Sequence, residues 1–272
     1  MADLYRSPDA PLTEQRLFRW HHMLFHGRRD LASVGCYRQH ATPMQIVSGQ
    51  IGNERVHYEA PPSARVPAEM ATFLDWFART APSHPDALPA ITRAGVAHLW
   101  FECIHPFEDG NGRIGRAIAE LALAQATSTP SFTGISAVLH RQRKHYYEQL
   151  RRHSLRLDID AWLQWFAQQA LQAQAEADEW VHFLIDKAAL MTRLAGQLNP
   201  RQEKVLLRLL REGPKGFAGG LSAGNYASIT GGSSATVTRD LADLVSKGAL
   251  RRTGERKGTR YRLVIAGVSP RQ

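Results

Sequence analysis

Apolar residues recur at three- and four-residue intervals through "TEQRLFRWHHMLF", "AEMATFLDWFA", "LPAITRAGVAHLWFECI" and "RIGRAIAELALAQA". The chain from Pro11 to about Phe166 is therefore expected to be mostly helical. One stretch departs from that period. "PMQIVSGQIGNERVHYEAPP" holds two short extended runs around a Gly/Asn-containing turn, closed by Pro61 and Pro62, and predicts a β-hairpin on the helical body. Residues 167–198 are low in Gly and Pro and predict one or two helices that connect or dimerise. Asn199 and Pro200 then mark a new helix start, since Asn suits the N-cap and Pro the first turn. The expected division is 1–166, 167–198 and 199–272. Within the last part, "NPRQEKVLLRLLREG", "SAGNYASIT" and "SSATVTRDLADLVSKGAL" predict three helices, the third ending at Gly248. "RRTGERKGTRYRLV" follows, with two basic, Tyr-bearing runs around Gly254 and Gly258 that predict a second hairpin.

At 272 residues and 43% hydrophobic, the chain can bury one large core or two smaller ones. Its formal net charge of +9 is confined to one end: residues 199–272 hold 14 Lys and Arg against 5 Asp and Glu, while the first 198 hold 20 of each. Such asymmetry points to a C-terminal module that meets a polyanion. No secretory pattern opens the sequence and no run reaches the length of a membrane span, so a cytoplasmic protein without a membrane partner is expected. Cys36 and Cys103 lack metal-ligand spacing and read as small core residues. His21, His22 and His26 have helical spacing but no accompanying carboxylate or cysteine set, and read as surface or core residues.

The chemistry concentrates in "HPFEDGNGRIGR", residues 105–116, at a helix–loop–helix junction. Gly110 and Gly112 flank Asn111, allowing backbone N–H groups to curl around an anion at the positive end of the second helix. Arg113 and Arg116 share a face in that helix's first turns, where cations are disfavoured by the macrodipole. A multiply charged anion, polyphosphate above all, would compensate them. Asp109 supplies the single carboxylate that Mg²⁺ takes from a protein when phosphates and water fill its other positions. His105 has the residue type to accept a proton from an attacking hydroxyl. Together these residues suit transfer from a nucleoside triphosphate.

The segment resembles the signature of the Fic family, His-Pro-Phe-x-Asp/Glu-Gly-Asn-Gly-Arg-x-x-Arg, at every specified position. The likeness extends over roughly residues 12–166. It implies a mainly α-helical core with a small hairpin, and AMP transfer from ATP, with Mg²⁺, to Ser, Thr or Tyr hydroxyls of target proteins and of the protein itself. On that resemblance His105 is the catalytic base, Asp109 the metal ligand, and Phe107 a buried anchor. Glu108, Asp109, Gly110, Asn111, Gly112, Arg113, Ile114, Gly115 and Arg116 surround the nucleotide. The hairpin from Met44 to Glu59 corresponds to the family's flap, which aligns a target segment by strand addition and brings Val56, His57, Tyr58 and Glu59 to the site. "RQRKHYYEQL" places Tyr146 and Tyr147 where relatives contact the nucleotide. Many relatives also carry a restraining Ser/Thr-x-x-x-Glu-Gly/Asn helix whose glutamate pairs with the second arginine. That pattern is missing here, which implies a truncated form, a separate inhibitory partner or homodimer, or little restraint, and it leaves Arg116 without a nameable acidic neighbour.

The C-terminal part resembles a winged helix-turn-helix domain. That likeness nominates Ser233, Ser234, Thr236, Thr238 and Arg239 for a DNA groove, and Arg251, Arg252, Arg256, Lys257 and Arg260 for phosphates. Other readings fit the same residues: a phosphotransferase, another nucleotidyltransferase, an enzyme removing AMP, or a DNA-binding regulator whose Fic core senses nucleotide.

Overall fold

The computed structural model describes residues 6–50, 53–126, 134–156 and 158–265, the strand residues 46–50 and 53–57 by their backbone alone. It separates into two compact units, Met1–Ala175 and Glu176–Gln272.

In the first unit, helix α1 (Glu14–Phe25) starts at Thr13, whose hydroxyl accepts the Arg16 N–H, and buries Leu17, Trp20, His21 and Phe25. Strands β1 (Gln45–Gln50) and β2 (Asn53–Glu59) pair antiparallel from Gln45↔Glu59 to Gln50↔Asn53, with an irregularity between Ile46 and Val47. Ala60 N–H donates to the Met44 carbonyl and closes the foot of the hairpin. Helices α2 (Val66–Arg79), α3 (Ala90–Ile104), α4 (Asn111–Ala124), α5 (Ile135–Arg141) and α6 (Arg143–His153) complete the body. Helices α3 and α4 are central. Both are apolar over most of their circumference, which suits a helix buried on several sides, and Phe101, Ile104, Ile114, Ile118 and Leu121 are almost inaccessible.

Helix α7 (Asp160–Arg193) runs 34 residues without Gly or Pro. Its start buries Trp162, Trp165, Phe166, Ala170 and Ala173 in the first core, and Leu190 buries in the second. The division after Ala175 thus falls inside this helix, whose two ends serve different cores.

The second unit continues with α8 (Pro200–Leu210), α9 (Ala223–Thr230) and α10 (Ser234–Ser246), then strands β3 (Leu250–Thr253) and β4 (Arg260–Leu263). Asn199 and Gln202 form a capping box at the start of α8, and Ser222 with Asn225 another at α9. β3 and β4 pair antiparallel from Leu250↔Leu263 to Thr253↔Arg260, and Leu221 bridges Tyr261 through two backbone hydrogen bonds. Among the described residues, no helix is long and apolar enough to cross a membrane.

Candidate active site at the α3–α4 junction

The junction is built by backbone conformations that few residues adopt. His105 caps α3 at φ 50°, ψ 59°, and Gly110 opens α4 at φ 82°. A left-handed conformation at a residue bearing a Cβ costs about 1–2 kcal/mol, so surrounding contacts must hold His105 there. Gly110 is required for a second reason: a Cβ on it would lie 2.5 Å from the Phe25 ring. Asn111 closes the loop. Its buried amide accepts from the Phe107 N–H at 2.9 Å and donates to the Phe107 carbonyl at 2.7 Å. Phe107 is fully buried and stacks on the His21 ring at 4.2 Å.

Helix α4 carries no side-chain cap. The Arg113 and Ile114 N–H groups donate to the Gly110 carbonyl, each at 3.0 Å, and the N–H groups of Asn111 and Gly112 lie at the positive helix end, where an anion is favoured. Arg113 lies over the Phe25 ring, 4.5 Å from its centroid, and reaches the Asp109 carboxylate at 3.5 Å. Arg116 folds back across Gly112, where a Cβ would meet its guanidinium at 3.1 Å. The two glycines flanking Asn111 thus have separate tasks, one against Phe25 and one beneath Arg116.

The His105 ring Nδ1 stands 3.3 Å from the Glu102 carbonyl, which can only accept. The proton therefore sits on Nδ1 and the lone pair on Nε2. Burial first, and the Arg38 charge second, push the His105 imidazolium down to about 4, against the Glu102 carbonyl and Asp109. The ring is neutral near pH 7. Asp109 is half-exposed, with one oxygen accepting the Gly110 N–H at 2.6 Å. A lone carboxylate of this kind fits Mg²⁺ held mainly by phosphates and water, and no protein-only metal cage occurs among the described residues.

Behind the cradle lies a buried polar cluster that the chain alone did not disclose. Glu102 from α3 stands beside Arg116 and supplies the acidic neighbour that the sequence left unnamed. Its Oε1 has no hydrogen-bond partner among the described residues, and Gly115 makes room for it, since a Cβ there would lie 2.7 Å away. Burial pushes the Glu102 carboxyl up to about 7, with Arg116 opposing. His98, also fully buried, meets the Tyr146 hydroxyl at 2.8 Å through Nε2, while its Nδ1 lies beside Gly115. Burial depresses its imidazolium to about 4.

Several expected nucleotide neighbours make contacts within the chain. The Glu108 carboxylate accepts the Ala32 and Ser33 N–H groups at 2.9 and 3.2 Å and fastens a loop. Tyr146 is buried against His98, so its hydroxyl is engaged, whereas Tyr147 is 60% exposed. Ile114 packs in the core and Gly115 serves Glu102. Tyr58 anchors the hairpin by donating to the Cys103 carbonyl at 2.9 Å, and Glu59 accepts from Gln45. The side chains of Val56 and His57 lie outside the described residues. His21 is a core residue: Nδ1 accepts the Gly35 N–H and Nε2 donates to the Asp109 carbonyl, so it holds the loop in its neutral form. His22 and His26 are exposed, and both cysteines are half-buried and unpaired.

In the second unit, Ser233 caps α10 and Thr238 bonds the Ser234 carbonyl. Ser234 and Arg239 are exposed and Thr236 half-buried. Arg251, Arg252, Arg256 and Lys257 are exposed on the hairpin, while Arg260 binds the Lys257 and Thr259 carbonyls and shapes the turn.

A curated relative, a probable protein adenylyltransferase from Aquifex aeolicus (strain VF5), is 30% identical over 94 residues. That match spans 35% of this chain and about a quarter, 26%, of the relative. A crystal structure of a Fic family protein from Desulfovibrio desulfuricans G20 shares the fold, with a TM-score of 0.55 at 24% identity, over 99% of this chain and 74% of that one. The model of the Fic/DOC family matches residues 11–123, the segment that contains α1, the hairpin and the whole junction, and this match and the adenylyltransferase-named relative support a Fic domain there.

Proposed function

We propose that this protein transfers AMP from ATP to a hydroxyl of a protein Ser, Thr or Tyr. One observation carries the reading: a neutral histidine with its lone pair on Nε2 stands at the mouth of an uncapped helix N-terminus flanked by two arginines. The target oxygen forms a bond to the α-phosphorus, the bond from that phosphorus to the bridging oxygen breaks, and pyrophosphate leaves. Nε2 of His105 takes the hydroxyl proton. The N–H groups of Asn111 and Gly112, with Arg113 and Arg116, hold the outer phosphates and their developing charge. Mg²⁺, held by Asp109, would neutralise phosphate charge when bound. The β1–β2 hairpin would hold the target as an added strand, leaving sequence demands on it loose.

The test is incubation with ATP labelled at the α- or γ-phosphate, beside His105→Ala. α-Label and the mass of AMP on wild type, with a loss of about 10²–10⁴-fold in the variant, support the reading. γ-Label would instead mean phosphate transfer, and label undiminished in the variant would remove His105 from the role of base.

A second reading concerns residues 199–272 as a winged helix that binds DNA, with α10 in the groove and the hairpin on the backbone. The four exposed cations Arg251, Arg252, Arg256 and Lys257 favour it. Binding that weakens steeply with salt, and less steeply after Arg256→Ala with Lys257→Ala, is the expected result.

A further inference from the structure

Arg38 is 1% exposed, and no carboxylate among the described residues forms an ion pair with it. Burying a cation in that way is costly unless hydrogen bonds occupy its donors. Here they do, and the acceptors are informative. The side chain donates to the His105 carbonyl from Nε at 2.8 Å and to the Ile104 carbonyl from Nη2 at 3.4 Å, and the Arg38 N–H donates to the Pro106 carbonyl at 2.9 Å. One residue therefore holds three consecutive carbonyls across the left-handed turn at His105. The same guanidinium donates to the Pro61 carbonyl at 2.5 Å and to the Ser63 hydroxyl at 2.9 Å, immediately past the end of β2. Ser63 in turn donates to the His40 carbonyl at 2.7 Å, on the other side of the hairpin.

We infer that Arg38 is a positioning residue that fixes His105 relative to the foot of the hairpin, so that the base and the segment holding the target hydroxyl share one rigid anchor. The inference rests on the proposed transfer, in which His105 and the hairpin must present a proton acceptor and a hydroxyl to the same phosphorus. The fork geometry is essential. A lysine supplies the charge but only a compact point donor, which cannot span both sets of acceptors. The charge has a separate effect, because a cation beside the ring disfavours imidazolium. The groups that face His105 are Arg38, Asp109 and the Glu102 carbonyl.

The experiment compares wild type, Arg38→Lys, Arg38→Met and Ser63→Ala in two readouts. The first is steady-state transfer with ATP varied. Arg38→Lys is expected to lower kcat about 10–100-fold with the KM for ATP within about twofold, as a displaced base would. Ser63→Ala, which removes one acceptor and leaves the buried charge, is expected to lower kcat a few-fold in the same pattern. The second readout is the NMR titration of the His105 ring in folded protein, assigned with His105→Asn. Arg38→Met raises the titration midpoint by removing the cation, and Arg38→Lys leaves it in place. Wild-type kcat in Arg38→Lys, or a rise in KM that accounts for the whole loss, overturns the inference. So does an unchanged midpoint in Arg38→Met. If Arg38→Met does not fold, Ser63→Ala decides: an unaltered kcat there overturns the inference. Should wild type transfer nothing, the proposed activity fails, while the titration still reports separately on Arg38 and His105.

Discussion

Two buried carboxyls, one in each unit, face an arginine and have opposite surroundings. Asp240 on α10 is 5% exposed and fully occupied: Asn199 donates at 3.0 Å, Arg201 at 2.8 and 3.2 Å, and the Tyr226 hydroxyl at 3.0 Å. Burial works against its charge, yet the hydrogen bonds from Arg201, Asn199 and Tyr226 outweigh it and hold the carboxyl below the usual range. Glu102 on α3 is equally buried, but one of its oxygens has no hydrogen-bond partner among the described residues and burial dominates, so its carboxyl rises to about 7. The first arrangement stabilises helix packing. The second leaves polar capacity unfilled beside the N-terminal turns of α4, the kind of local conflict that marks a candidate site.

The largest effect should come from Asp240→Ala. It strands the Tyr226 hydroxyl and the Asn199 amide, and should destabilise residues 176–272 by about 2–3 kcal/mol in denaturant unfolding. A loss under about 1 kcal/mol would mean that the hub adds little to packing. Because the folded pKa of Asp240 is depressed, its contribution is present above the unfolded value of 3.8 and is lost as pH falls through the lowered one. Unfolding of this unit should therefore show an acid-side loss that Asp240→Asn lacks.

Gly115→Ala comes next. Its Cβ would press on Glu102 Oε1 at 2.7 Å and His98 Nδ1 at 3.1 Å, which should cost about 1–3 kcal/mol and weaken ATP binding together. Full stability in calorimetry would show that the cluster yields easily.

Glu102→Gln sharpens the contrast, because here an incompletely satisfied acid is removed. Stability at pH 7 should stay within about 1 kcal/mol of wild type, while the apparent affinity for ATP changes through Arg116. The sign of the pH dependence is opposite to that of Asp240. The raised folded pKa gives a contribution present below the unfolded value of 4.5 and lost as pH rises through about 7. Stability measured between pH 5 and 8 should fall in wild type and be flatter in the variant; identical slopes would exclude Glu102 as the titrating group.

The smallest effect is expected at Gly224 in α9, an exposed helical position where a Cβ meets only Ser222 Oγ at 3.6 Å. Gly224→Ala should stabilise the second unit by up to about 0.5 kcal/mol, and a loss would point to strain that the helix does not display.

The sequence by itself determined the helical periods, the positions of both hairpins and the start of α8 at Asn199, because spacing of apolar residues and capping chemistry are local. The motif from His105 to Arg116 was legible for the same reason: a helix start with two glycines and two arginines is written in consecutive residues. Phe107 could be named as an anchor, though not the His21 ring it stacks on. Only the tertiary structure decided that Glu108 fastens a loop, that Tyr146 turns inward to His98, and that Glu102, His21, Phe25 and Arg38 meet the junction. Those contacts join residues tens of positions apart, and which partner fills a given donor or cavity is settled by packing. Arg38 shows the limit most plainly. In the chain it is one arginine among many, and it acquires a role only where the fold brings the carbonyls of Pro61, Ile104, His105 and Pro106 around it.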